Sequence, residues 1–365
     1  MIEKGCCILF TILFANFLSF SQLPPVDSCY INVCSFNVYL LGGVDAKYKE
    51  ISKKFKDPLH QRPDSSFGIP NRISNCAELL SRGNFDLMVF QEVVDGVRGD
   101  SAVRDLTMKL NYITDKKFHW FTSQRIGKGM RMESMAFIYD PARVDVVDQK
   151  GSPTTLIESF EPKNRKYVKT CWKAGDFDFT LVSCHFAWND KDYNRRQADY
   201  KKLDHILHHP LEYSKDPDVI VVGDFNRFGG NHFSMEAQEY GIQLIQYDST
   251  KFRVPHVEYF DRSLAILKEV SANPEIEDPQ HHSTTVSDNT MVYDMFWLTA
   301  DVLEEYSVSK NEWNVDFGVM VYDEPGGNAY VEGLEKLSLK ELKLAYSDHR
   351  PIWMRFNVTS NQSDK

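Results

Sequence analysis

The chain has 365 residues, 42% of them hydrophobic and 13% aromatic, a globular composition long enough to bury one large core or two. Its formal charge of -10 and pI near 5.6 argue against a protein that grips phosphate backbones through Lys/Arg neutralisation alone. They do not exclude an enzyme: clustered carboxylates are what a hard divalent cation requires, and the bound cation reverses the field that a phosphate meets.

Lys4 precedes an apolar run from Cys6 to Phe20, and the small residues Ser19 and Ser21 suit cleavage before Gln22. Residues 1–21 are therefore expected to be a secretory signal and the mature chain to be secreted and extracellular. The run is shorter than the ~20 residues that cross a bilayer, so no stable membrane anchor is expected. Beyond the signal come Cys29, Cys34, Cys76, Cys171 and Cys184, an odd number, so at least one thiol stays unpaired or bonds elsewhere.

The first β-type run is Ile31 to Val38, with Asn37 near its end. Val44 to Pro70 is charged, carries Pro58, Pro63 and Pro70 and has no period, which reads as a long surface loop. Ile73, Cys76, Ala77 and Leu80 fall on one face of a helix. Strand runs follow at Leu87 to Phe90 before Glu92, at Met135 to Tyr139 after Glu133, and at Phe179 to His185. Ala198, Leu203 and Ile206 mark a second helix over Arg195 to Leu207. The remaining strand runs are Val219 to Val222, closing on Asp224 and Asn226, then Met295 to Leu298 after Asp294, and Ile352 to Phe356 after Asp348 and His349. No repeat or linker divides the chain, so one domain is expected over 22–357, followed by a flexible tail at 358–365. Asn357-Val-Thr and Asn361-Gln-Ser are acceptor patterns for N-glycosylation. Strands and helices alternate irregularly, which predicts an α/β (α+β) fold: two mixed sheets packed face to face with helices outside.

Six patterns share one form, a polar residue ending an apolar strand: Ser35-Phe36-Asn37, Gln91-Glu92-Val93, Arg131-Met132-Glu133, Cys184-His185-Phe186, Gly223-Asp224-Phe225-Asn226 and Ser347-Asp348-His349-Arg350-Pro351. A buried strand finished in this way holds a ligand or proton carrier at the rim of a rigid scaffold. Phosphodiester hydrolysis needs an oxygen-ligated cation, an activated water and a proton donor for the leaving oxygen. Glu92 is the first choice of Mg²⁺ ligand, with Mn²⁺ or Ca²⁺ as alternatives, Asn37 a neutral co-ligand and Asp348 a further carboxylate. His185 and His349 are acid-base candidates, and Glu133 and Asp294 are available to orient their imidazoles. Taken singly, either histidine is more often structural. Asp224 and Asn226 can bind metal, water or phosphate, or form an ordinary Asx turn.

Together these patterns resemble the endonuclease/exonuclease/phosphatase superfamily, and more narrowly its deoxyribonuclease I-like branch, from Ile31 to Phe356. FDLMVFQEVVD (Phe85 to Asp95), ESMAFIYDPARVDVVD (Glu133 to Asp148) and TTVSDNTMVYD (Thr284 to Asp294) carry the narrower likeness. The resemblance implies a four-layered α/β sandwich and metal binding by Glu92, Asn37 and Asp348. It implies a His185–Asp294 pair opposite a His349–Glu133 pair, with Asp224 and Asn226 completing the phosphate and water site. Arg165 resembles a phosphate-contacting Arg of the family. The branch's minor-groove Arg and Tyr are replaced here by Val94 and Arg131, which implies an altered sequence preference on duplex DNA. The substrate so implied is nucleic acid, DNA first. Two rival readings are a sphingomyelinase-like phospholipid phosphodiesterase, for which Trp188-Asn189-Asp190 is a small docking element, and a non-catalytic binding or toxin-like protein on the same fold.

Overall fold

A strand buried on both faces reads as an almost unbroken apolar run, and β1 (Tyr30–Leu41) is of this kind. Ile31 and Val33 enter one core while Cys34, Phe36 and Val38 enter another, as the two-residue period of a strand dictates. The computed structural model describes residues 23, 27–43, 72–127, 133–147, 151–187, 193–226, 252–253, 284–286, 292–305 and 316–359. The expected signal at 1–21, the loop at 44–70, Arg131, Trp188-Asn189-Asp190 and Asn361 lie outside them.

Four helices and thirteen strands are described: α1 (Arg72–Ser81), β2 (Leu87–Val94), α2 (Val97–Ile113), β3 (His119–Thr122), β4 (Glu133–Tyr139), β5 (Asp145–Val146), β6 (Thr155–Ile157), β7 (Tyr167–Ala174), β8 (Phe177–His185), α3 (Tyr193–His208), β9 (Val219–Asp224), β10 (Phe252–Arg253), β11 (Asp294–Thr299), β12 (Phe317–Val319), α4 (Leu339–Ala345) and β13 (Ile352–Asn357), with β1 before them. They form one sheet of order β12-β13-β1-β2-β4-β3 and a second of order β10-β11-β9-β8-β7-β5, with β6 pairing β7. Both sheets mix parallel pairs, β1 with β2 and β8 with β9, and antiparallel ones.

The sheets pack face to face through Ile31, Val33, Leu87, Val89 and Phe137 of the first against Trp172, Leu181, Ile220, Val222 and Phe296 of the second. The outer face of the first sheet is covered by Ile73, Cys76 and Leu80 of α1 with Val103, Leu106 and Leu110 of α2. Tyr200, Leu203 and Ile206 of α3 cover the outer face of the second. The result is the expected α/β/β/α sandwich. Helix α2 carries Gly99 and Thr107 within its buried stripe, which blurs the apolar period there. Among the described residues no helix is long and apolar enough to cross a membrane, and no disulfide joins any two of the five described cysteines.

Candidate metal and catalytic centre

The strand ends of the two sheets meet at one rim. On the second sheet, register places His185 of β8 beside Asp224 of β9, and Asp224 beside Asp294 of β11, so the three side chains sit on one rung. Gly223 is held at φ 145°, and a Cβ there would meet the Cys184 carbonyl oxygen at 2.0 Å. Only glycine permits β9 to approach β8 this closely just before Asp224. On the first sheet, β1 pairs β2 with a register shift between Asn37 and Leu41, and β2 pairs β4 with one between Phe90 and Val93. These bulges re-aim Asn37 and Glu92. Tyr39, Leu40, Glu92 and Asn226 all have left-handed φ values, between 42° and 58°, and such strain in non-glycine residues gathers at functional sites.

The centre is organised about Asp224. Asn37 Nδ2 donates to Asp224 Oδ2 at 2.9 Å and to Glu92 Oε1 at 3.2 Å. His185 Nε2 and His349 Nε2 each lie 3.6 Å from Asp224 Oδ2, and His185 Nε2 is also 3.6 Å from Glu92 Oε1. The far nitrogens are held by carboxylates: His185 Nδ1 lies 3.1 Å from Glu133 Oε2, and His349 Nδ1 lies 2.7 Å from Asp294 Oδ2. This corrects the expected pairing, which joined His185 to Asp294 and His349 to Glu133. Strand order is the physical reason. Strand β9 with Asp224 separates β8 from β11 within the second sheet, while β13, which follows His349, packs across the sandwich from β11. Each imidazole therefore meets the carboxylate that faces it from the opposite sheet.

The two imidazoles are driven in opposite directions. Burial, and after it the Arg165 guanidinium, push His185 down to about 4, against the raising effect of Asp224 and Glu92. Burial also opposes charge on His349, but Asp294, Asp224 and Asp348 outweigh it and hold this imidazole protonated well above its ordinary range. Asp294 is raised by burial and by Asp224, and pulled back by His349.

Most expected site residues converge, but Asp348 does not join the same ligand group. The described groups with metal-compatible spacing are Glu92, His185 and Asp224, and Asp224, Asp294 and His349. Asp348 instead pairs with Lys343 of α4, and although burial opposes it, His349 and Lys343 hold its carboxyl below the usual range. Asn226 makes the Asx turn, its backbone N–H donating to Asp224 Oδ1 at 2.8 Å. Its side-chain amide donates to the Phe186 carbonyl at 3.0 Å, so it shapes the centre rather than projecting into it. Arg165 is ion-paired with Glu133 and donates to the Phe186 carbonyl at 3.0 Å.

The residues present fit a divalent cation. Glu92 and Asp224 are bridged by the positive end of the Asn37 amide, where a cation would find two carboxylates. Glu92 is the member of that group open to solvent, its side chain 19% exposed against 2% for Asp224.

Sequence reasoning assigned no role to Gln91, Ser347 or Lys343. Gln91 is fully buried, and its amide donates to Ser35 Oγ at 3.1 Å and to Ser183 Oγ at 3.3 Å, joining β1, β2 and β8 below the centre. An uncharged amide in an apolar run was the available signal. Ser347 Oγ donates to the Asn37 carbonyl at 2.6 Å and accepts from His349 N at 3.2 Å. Lys343 Nζ stands 3.8 Å from the Tyr39 ring centroid.

No family model matches the chain, and no curated protein matches it. Among solved structures, truncated Caenorhabditis elegans TDP2 is similar with a TM-score of 0.50 and 13% identity, covering 91% of this chain and 100% of that one. An endonuclease/exonuclease/phosphatase family protein from Bacteroides thetaiotaomicron gives a TM-score of 0.50 and 14% identity, covering 90% of this chain and 94% of that one. At such identities the likeness is one of architecture: the chain has the deoxyribonuclease I-like fold of endonuclease/exonuclease/phosphatase proteins.

Proposed function

We propose that the chain is a secreted, divalent-metal-dependent phosphodiesterase that hydrolyses nucleic acid, with DNA as its first substrate and residues 22–357 as its catalytic domain. The observation that carries this reading is the pair of imidazole–carboxylate couples whose free nitrogens both face Asp224 at 3.6 Å. Two proton carriers with opposite protonation states, set about a carboxylate cluster, are the parts list of metal-assisted phosphoryl transfer.

Glu92 and Asp224, with Asn37 turned to present its oxygen, would hold Mg²⁺. Bound there, the cation supplies positive charge against the phosphoryl oxygens and acidifies a water. His185 is neutral at pH 7. With its Nδ1–H donated to Glu133, its Nε2 lone pair is free to take a proton from the attacking water. His349 is cationic, oriented by Asp294, and its Nε2–H can protonate the leaving oxygen. Arg165 buttresses Glu133 and would offer a phosphate oxygen a guanidinium donor. The Lys343 ammonium over the Tyr39 ring adds a cation and an aromatic face beside Asn37, a combination that suits a nucleotide better than an acyl chain.

The test is a substrate panel. The purified mature chain is expected to nick supercoiled plasmid in Mg²⁺ and to lose this activity in EDTA. Hydrolysis of sphingomyelin without nicking would replace the nucleic-acid reading with the phospholipid one. Inactivity on plasmid, RNA and sphingomyelin alike would leave a binding protein on a hydrolase fold.

A further inference from the structure

Helix α3 does more than cover the second sheet. Its first turns carry three polar residues turned inward toward the rim: Arg195, Arg196 and Asp199, of which Arg196 and Asp199 are buried, at 0% and 2% exposure. Buried charges are costly unless they are fully engaged, and here the engagement is specific. Asp199 Oδ2 accepts from the backbone N–H of Ala187 at 2.9 Å, two residues beyond His185. Asp199 Oδ1 accepts from Asn164 Nδ2 at 2.7 Å and from the Tyr167 hydroxyl at 3.2 Å, on either side of Arg165 in the chain. Asn164 is itself fixed from the other side, its Oδ1 accepting from Arg195 Nε at 2.7 Å and its Nδ2 donating to the Arg195 carbonyl at 2.7 Å. Arg196 donates to the carbonyls of Ala187 and Asn226, the residues just past the ends of the two central strands.

We infer that Asp199 is a positioning residue, whose carboxylate locks the turn bearing Arg165 against the end of β8 bearing His185. This rests on the proposed function for its kinetic consequence, though not for its geometry. The chain of contacts runs from Asp199 through Asn164 and Ala187 to Arg165, then to Glu133, then to His185 Nδ1. Covering the sheet would require only the apolar stripe of Leu203, Ile206 and Leu207. A buried carboxylate with three donors, one from Asn164 beside Arg165, one from Tyr167 at the start of β7 and one from the strand end beyond His185, is surplus to that need. Misplacing a group by about 1 Å in such a centre can cost on the order of 100-fold in rate.

The experiment combines amide hydrogen exchange with a kinetic double-mutant cycle on the full mature chain, using Asp199→Asn, Arg165→Gln and the double variant. Asp199→Asn is expected to speed exchange at residues 164–167 and 185–187, leave β1 and β2 unchanged, and lower kcat/KM by about 10- to 100-fold. In the Arg165→Gln background the same change is expected to cost less than about threefold, since the group it positions is gone. Asn164→Ala, which leaves the buried charge with Ala187 and Tyr167, serves where Asp199→Asn fails to fold, and the same pattern is expected of it. Unchanged exchange at both segments overturns the inference, and so does an equal loss of kcat/KM in both backgrounds, which is what a purely structural residue gives. A wild-type chain with no turnover on any panel substrate would count against the proposed function instead, and the exchange result alone would then decide whether the clamp exists.

Discussion

His349→Ala is expected to lower kcat by about 10²- to 10⁴-fold, the range that general acid–base catalysis contributes, with a much smaller effect on KM. The imidazole faces Asp224 as a cation whose charge can leave as a proton. Asp294, Asp224 and Asp348 hold it protonated, against the pull of burial. In the wild type, kcat is expected to fall on the alkaline side as His349 deprotonates, above the ordinary imidazole value, and on the acid side as His185 protonates near 4. The alkaline limb should vanish in the variant while the acid limb remains, which a pH–rate profile of both proteins reads directly. Stability follows the same shifts with opposite signs. His349, raised in the folded state, stabilises the fold fully below about 6.5 and loses that contribution as pH rises through its folded value. His185, depressed in the folded state, costs stability as pH falls from about 6.5 toward 4, by roughly 3 kcal/mol over that window.

Asp224→Asn is expected to be as damaging for a different reason. The substitution preserves the Asx turn to Asn226, because the amide oxygen can still accept the N–H that Asp224 Oδ1 accepts now. It removes the charge shared by Asn37, His185 and His349. Mg²⁺ affinity, measured by calorimetric titration, should fall at least about tenfold, given that even residues behind the ligands are worth 10- to 100-fold. The alkaline limb of the rate profile should move to lower pH, since Asp224 is one of the carboxylates that keep His349 charged. An unaltered Mg²⁺ affinity would remove Asp224 from the ligand group and leave it an Asx turn.

Much of this arrangement is legible in the sequence. The strands that carry the centre are buried on both faces, so each appears as an apolar run, and the polar residue at its end stands out against it. Asn37, Glu92, Glu133, His185, Asp224, Asp294 and His349 were all visible for that reason, and all lie at one rim. The partner of each histidine was not legible, because it depends on which strands face each other across two sheets, a relation between residues as far apart as Glu133 and His185 or Asp294 and His349. Asp348 stands apart from the other carboxylates for a local reason. Its neighbour His349 points at Asp294 while Asp348 turns to Lys343, on a helix too short to have been noticed. Asp199 was hidden inside the stripe of α3, where a carboxylate between apolar positions reads as the solvated face unless the turn it reaches is known. Lys163 to Lys169 carries charges at nearly every other position yet leads into β7, an interior strand with Tyr167 and Trp172 buried.

The most direct measurement is an NMR titration of the two imidazoles in the metal-free chain, for the wild type, Asp294→Asn and Glu133→Gln. His185 is expected to stay neutral down to about pH 4 and His349 to stay cationic well past 6.5, with Asp294→Asn lowering the His349 value and leaving His185 in place. Two imidazoles titrating together near 6.5, or a His349 value that responds to Glu133→Gln and ignores Asp294→Asn, would contradict the paired, oppositely charged centre from which the chemistry follows.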